Sequence, residues 1–196
     1  MLIFVCIYFI PLQIKRLIRN TLYPNFKYIE YLKSGNKKQQ LAYKVLSENR
    51  IITILQEFSP TLVGTIPINI DIKNSDIDII CNYVNQDKFI NTLHSNFSNN
   101  TNYLLRKEII KGQESIIANF IVDTFEIEIF GQTTPIDNQY AYRHMLIEYE
   151  LLNKYGEDFR QKIISLKKQG YKTEPAFAIV LGLKGDPYES LLTYKD

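Results

Sequence analysis

Apolar positions along the chain change their period three times. From Lys37 to Phe58, Leu41, Val45, Ile52 and Leu55 fall at helical spacing, and Ser59-Pro60 ends the run. A strand over Leu62 to Thr65 follows, then a loop, then alternation from Asp76 to Tyr83, where Asp76 and Asp78 share one face and Ile77 and Ile79 the other. Asp87 to Phe97 predicts a short helix with Phe89, Ile90 and Leu93 inward. Strands are predicted over Tyr103–Ile110, Ser115–Val122 and Phe125–Phe130, with Gly112 at a hairpin turn.

The last third returns to helical spacing. Thr134-Pro135 with Asp137 reads as a cap, a first-position proline and an acid in the first turn of a helix that runs to about Tyr155, where Gly156 stops it. A second helix is predicted from Glu157 to Lys168, and a third from Thr173-Glu174-Pro175. Asp186-Pro187-Tyr188-Glu189 has the form of a capping box. Helices flanking a mixed strand block predict an α+β (mixed α/β) fold with a helical C-terminal third. The break at Ser34-Gly35-Asn36 divides the chain into an N-terminal extension, residues 1–34, and a single domain, residues 35–196.

The extension begins with an apolar run, Met1 to Ile10, interrupted by Pro11 and followed by Lys15, Arg16 and Arg19. The run is short for a bilayer span, and it lacks the leading charges and small-residue cleavage site of a secretory signal. An interfacial contact helped by the basic residues is one reading; an extension outside the domain is the reading preferred. Two cysteines, Cys6 and Cys81, form no disulfide framework, which favours a cytoplasmic setting. Lys and Arg total 23 against 21 Asp and Glu, so the overall charge gives no sign of a nucleic-acid-binding surface.

The chemistry concentrates in the two alternating acid strands. Two carboxylates on one face repel each other, and their burial is costly without a cation between them. Mg²⁺ takes hard oxygen ligands of this kind. FEIEIF at 125–130 repeats the alternation, with Glu126 and Glu128 on one face, and either could approach the aspartates across a sheet. Upstream, Gly64-Thr65 stands where a strand gives way to a turn, suited to close approach of a phosphate. A solvated strand face is the plainer reading of Asp76 and Asp78 taken alone. Neither GxGxxG nor a P-loop pattern occurs.

Val63-Gly64-Thr65, ten residues from Ile66 to Ser75, then Asp76-Ile77-Asp78-Ile79, resembles the signature of the nucleotidyltransferase superfamily. That superfamily groups DNA polymerase beta with aminoglycoside nucleotidyltransferases and minimal relatives. The Ser75-Asp76-Ile77-Asp78 run is especially like the minimal members, with Thr65 in place of the usual Ser and no arginine-rich segment in the loop. From about Gly35 onward the chain also resembles a family of small bacterial nucleotidyltransferase-like domains of unknown function, through GTIPINI, FGQTTPIDNQYAYRHMLIE and KTEPAFAIVLGLKGDPYESLL.

The resemblance implies a metal-dependent enzyme that moves a nucleoside monophosphate from a nucleoside triphosphate (NTP) to a small-molecule or protein acceptor. It implies Asp76, Asp78 and Glu128 as catalytic and as ligands of Mg²⁺ or Mn²⁺, with Glu126 the alternative third acid. Gly64, Thr65 and Ser75 would lie at the nucleotide. The alternative class is a catalytically degenerate nucleotide- or protein-binding module, such as one half of a toxin–antitoxin-type pair. Beyond the motif, His144 and Glu148 lie four apart on one helix, either reaching the site with Glu148 orienting the imidazole or forming a buried hydrogen-bonded pair. Arg143 reads either as a phosphate ligand or as surface. Lys172-Thr173-Glu174 reads as capping in preference to an anion-favouring helix N-terminus, Lys167-Lys168 as helix-end charge, and Asp71 as solvated.

Overall fold

The computed structural model describes residues 24–194. The apolar run and the basic residues that follow it lie outside them. Asn36 opens helix α1 (Lys37–Glu48) with a reciprocal cap: its side chain accepts from Gln39 N–H while the Gln39 side chain accepts from Asn36 N–H. The single helix expected up to Phe58 is broken, because Asn49 ends α1 and Arg50 adopts a left-handed backbone (φ 55°). A short helix α2 (Ile51–Ile54) and a 3₁₀ turn (Gln56–Phe58) carry the chain to the sheet.

Five strands form that sheet: β1 (Thr61–Val63), β2 (Ile77–Asn82), β3 (Thr101–Ile110), β4 (Gln113–Val122) and β5 (Phe125–Gln132), in the order β1-β2-β5-β4-β3. Only β2 and β5 pair in parallel, so the sheet is mixed. Helix α3 (Gln86–Phe97), capped by Asn85, provides the crossover after β2. The α+β architecture expected from the patterning is the one observed.

Alternation gives the sheet two different faces. Ile77, Ile79, Cys81, Ile116, Ala118, Phe120, Ile127 and Ile129 pack against α1–α3 through Val45, Leu46, Ile51, Phe89 and Leu93. On the opposite face Val63 and Ile80 pack against three C-terminal helices, α4 (Tyr140–Lys168), α5 (Thr173–Leu181) and α6 (Pro187–Leu192). Phe26 joins this second core, and Ile29 and Leu32 join the first, so part of the segment assigned to the extension packs on the domain. Among the described residues no helix is long and apolar enough to cross a membrane.

Two expectations about helix ends change. Thr134 caps nothing: a 3₁₀ turn (Ile136–Asn138) intervenes, and α4 starts only at Tyr140. Gln139 stands before it, with its buried side-chain amide donating to the Cys81 and Thr134 carbonyls at 2.9 Å each, which ties the helix start to β2. Gly156 (φ 76°, ψ −161°) breaks α4 without ending it.

The close packing between α3 and β5 gives a direct test. A Cβ at Gly131 would lie 2.2 Å from Phe89 Cε1. Gly131→Ala is expected to destabilise the protein by ~1–3 kcal/mol in urea unfolding, with part of the loss recovered when Phe89→Leu is added. A Gly131→Ala protein as stable as wild type would contradict this packing.

Candidate active site

The sheet register decides which acids meet. β2 is flanked by β1 and β5, with Val63 opposite Asp78 on one side and Glu128 opposite Asp78 on the other. Adjacent strands lie about 4.8 Å apart, so Asp78 and Glu128 are immediate neighbours, and Asp76 stands just ahead of β2 on the same face. Here the sheet and the C-terminal helices part to form a cavity of about 850 Å³. Gly64, Thr65, Ser75, Asp76, Asp78 and Glu128 line its sheet side; His144, Glu148, Lys167, Lys172 and Glu174 line its helical side. Glu126 is exposed and does not line the cavity, so register separates two glutamates that alternation alone could not. Arg143 is also exposed and outside the lining, its guanidinium 5.8 Å from the Tyr140 ring.

Gly64 is dictated by Asp78. It adopts φ 78°, and a Cβ there would fall 2.2 Å from Asp78 Oδ2. Both the left-handed backbone and the close approach exclude larger residues. The Thr65 hydroxyl lies 3.2 Å from that of Ser75, and Ser75 Oγ accepts from Ile72 N–H at 2.9 Å. These contacts staple the exit of β1 to the entry of β2, which fixes the aspartates relative to the turn at Gly64.

Three groups that line the cavity have ionisation far from ordinary. Burial, then the charges of Asp76 and Glu128, push the Asp78 carboxyl up to about 8, with Lys167 and Lys172 opposing. Burial pushes the Lys167 ammonium down to about 8, opposed by Glu148, Asp71, Asp78 and Glu174. Glu148 is held well above the carboxylate range by burial and by Glu174, with Lys167 opposing. Lys167, 7% exposed, is therefore not a helix-end charge on the surface. It continues the buried stripe Phe159–Ile163 at four-residue spacing, the one sequence signal that could have found it.

The helical wall differs from expectation in its pairings. His144 Nε2 lies 2.9 Å from the Tyr188 carbonyl oxygen and acts as donor there, while Nδ1 lies 3.8 Å from Glu174 Oε1. Glu148 does not orient the imidazole, and its buried Oε1 has no hydrogen-bond partner among the described residues. Lys172, Thr173 and Glu174 all line the cavity, and Lys172 makes no side-chain cap. Asp71 is not solvated: its side chain is 14% exposed and lies 3.8 Å from Lys38 Nζ.

Asp76 and Asp78 suit a divalent cation, being hard oxygen donors whose crowded negative charge such an ion would relieve. Glu128 is engaged elsewhere. Its Oε2 accepts from Asn119 Nδ2 at 3.2 Å and lies 3.5 Å from Arg106 Nη2. Among the described residues no three His, Cys, Asp or Glu side chains are arranged to hold a metal ion together.

Over residues 44–194 the sequence matches a family described as a domain of unknown function, DUF4269. The chain belongs to this family. No curated protein matches it. Among solved structures it is similar to the Cid1 poly(U) polymerase bound to MgGTP, at 13% identity and TM-score 0.50, over 71% of this chain and 46% of that one. A structure describing Cid1's RNA terminal uridylyl transferase activity gives 15% identity and TM-score 0.50, over 67% and 41% of the two chains. Cid1 in complex with the UTP analogue UMPNPP gives 13% and 0.50, over 78% and 52%. The chain thus spans about half the length of the solved structures it matches, and the likeness establishes a nucleotidyltransferase-like fold.

The raised Asp78 has a consequence for stability. Between its ordinary ionisation near 3.8 and its folded value of about 8, the folded chain keeps a proton that the unfolded chain has released. Stability from this group therefore falls as pH rises through that window. In metal-free buffer the melting temperature of Asp78→Asn relative to wild type should climb from about pH 5 to about pH 8 and level off above. A climb of roughly 4 °C corresponds to ~1–2 kcal/mol. A pH-independent difference would contradict the assigned burial and charge crowding.

Proposed function

We propose that this protein is a metal-dependent nucleotidyltransferase that moves a nucleoside monophosphate from an NTP to an acceptor hydroxyl. The observation that carries this reading is the convergence of Asp76, Asp78 and Glu128 with Gly64-Thr65 on one wall of a cavity whose other wall presents Lys167 and Lys172. Asp76 and Asp78 would hold a divalent cation, Mg²⁺ or Mn²⁺, which when bound supplies charge neutralisation for the triphosphate. The turn at Gly64-Thr65, held by Ser75, offers backbone and hydroxyl donors to phosphate oxygens. Lys167 and Lys172 neutralise the remaining charge from the helical side.

In the transfer, the acceptor oxygen forms a bond to the α-phosphorus, the bond from that phosphorus to the bridging oxygen breaks, and pyrophosphate leaves. The acceptor proton passes to Glu128, whose Oε1 makes no hydrogen bond among the described residues. A binding module without turnover is the competing reading.

Calorimetric titration with Mg²⁺ and non-hydrolysable analogues of the four NTPs tests the proposal. At least one analogue should bind only in the presence of the ion, and Asp78→Asn should weaken that binding ~100-fold or more. Lys167→Met should weaken it about tenfold at pH 7, where the wild-type ammonium is protonated, and much less well above pH 8, where it is not. Absence of metal-dependent binding of any analogue would overturn the proposal. Metal-dependent binding of an NTP that is never turned over would favour the binding module.

A further inference from the structure

The side chain that holds Glu128 comes from two strands away. β4 separates β3 from β5, with Asn119 opposite Glu128 on one side and opposite Leu104 on the other. Arg106, two residues beyond Leu104 on β3, reaches back over this strand. Each end of its guanidinium has a separate partner: Nε donates to Glu108 Oε1 at 2.7 Å, Nη1 donates to Asn119 Oδ1, and Nη2 lies 3.5 Å from Glu128 Oε2. Asn119 is fixed in turn, because its Oδ1 accepts from Arg106 and its Nδ2 donates to Glu128. All three nitrogens of the planar guanidinium, whose side chain is 34% exposed, are thus directed at acceptors.

We propose that Arg106 is the fixed cation beside Glu128, so that the protein takes one divalent ion, on Asp76 and Asp78, and no second ion at Glu128. This inference rests on the nucleotidyltransferase reading. A guanidinium never loses its charge in a protein, so the cation is present at every working pH. Mg²⁺ and Mn²⁺ need carboxylate oxygens close by, near 2.0–2.1 Å for Mg²⁺, in a nearly regular octahedron. A second ion on Glu128 would have to compete for Oε2 with Asn119 and sit within a few ångströms of a permanent positive charge, where like-charge repulsion is strong. Arg106 thereby acts as a positioning residue, holding Glu128 through its Oε2 together with Asn119.

Titrating the full chain with Mn²⁺ alone, and counting bound ions from the free-ion electron paramagnetic resonance signal, tests this directly. Wild type is expected to bind one Mn²⁺ per chain. Arg106→Gln, which frees Glu128 from the guanidinium, is expected to bind two. Arg106→Lys, which retains a cation, is expected to stay at one, which separates the effect of charge from a general disturbance of the strand. Two ions on wild type, or one on Arg106→Gln, would overturn the inference while leaving the Asp76–Asp78 site standing. No ion on wild type would overturn both the inference and the transferase reading beneath it.

Discussion

The parallel pairing of β2 with β5 places Asp78 beside Glu128, with Asp76 one step away, and most of the site can be understood as a response to that crowding. Burial, and then the neighbouring charges of Asp76 and Glu128, oppose ionisation of Asp78. The fold tolerates the arrangement by surrounding it with matched features. Gly64 makes room for the Asp78 carboxylate, Lys167 and Lys172 offset it from the helical side, and Arg106 and Asn119 take up Glu128. A purely structural sheet would gain nothing from such an arrangement, since replacing charges by well-packed apolar groups is commonly neutral or stabilising.

The two faces of the sheet divide the work. One is covered by α1–α3 through a continuous apolar core, which makes the strand register rigid and so fixes which acids are neighbours. The other is only partly covered, because α4 to α6 pack on Val63 and Ile80 but stand away from Asp78 and Glu128. The space left between them is the cavity. Its helical wall carries charge inward from positions that face the core, Glu148 and Lys167 on α4 above all, where a nearby opposite charge limits the cost of burial.

Much of this was legible in the sequence, and the parts that were not have identifiable causes. Period-two alternation marked Asp76 with Asp78 and Glu126 with Glu128, but alternation places both glutamates on one face, and only pairing with β2 and β4 distinguishes them. Arg106 lay beyond reach for the same reason: its meeting with Glu128 depends on the β3–β4 register across a strand pair. Lys167 was different, since its four-residue spacing from Ile163 was visible, yet its place at a helix end suggested the ordinary role of a C-terminal cation. The expected cap at Thr134 failed because Gln139 anchors the helix start to a β2 carbonyl, a tertiary contact that local sequence does not encode.

The proposed cation site lies on Asp76 and Asp78, facing the turn at Gly64-Thr65. A crystal structure of the protein with Mn²⁺ and a non-hydrolysable NTP analogue, with the ion located by anomalous scattering, tests it most directly. An anomalous peak is expected within about 2.3 Å of oxygens from both aspartates, with phosphate oxygens of the analogue completing its shell and reaching the Gly64-Thr65 turn. A bound analogue whose ion and phosphates lay away from both aspartates would contradict it.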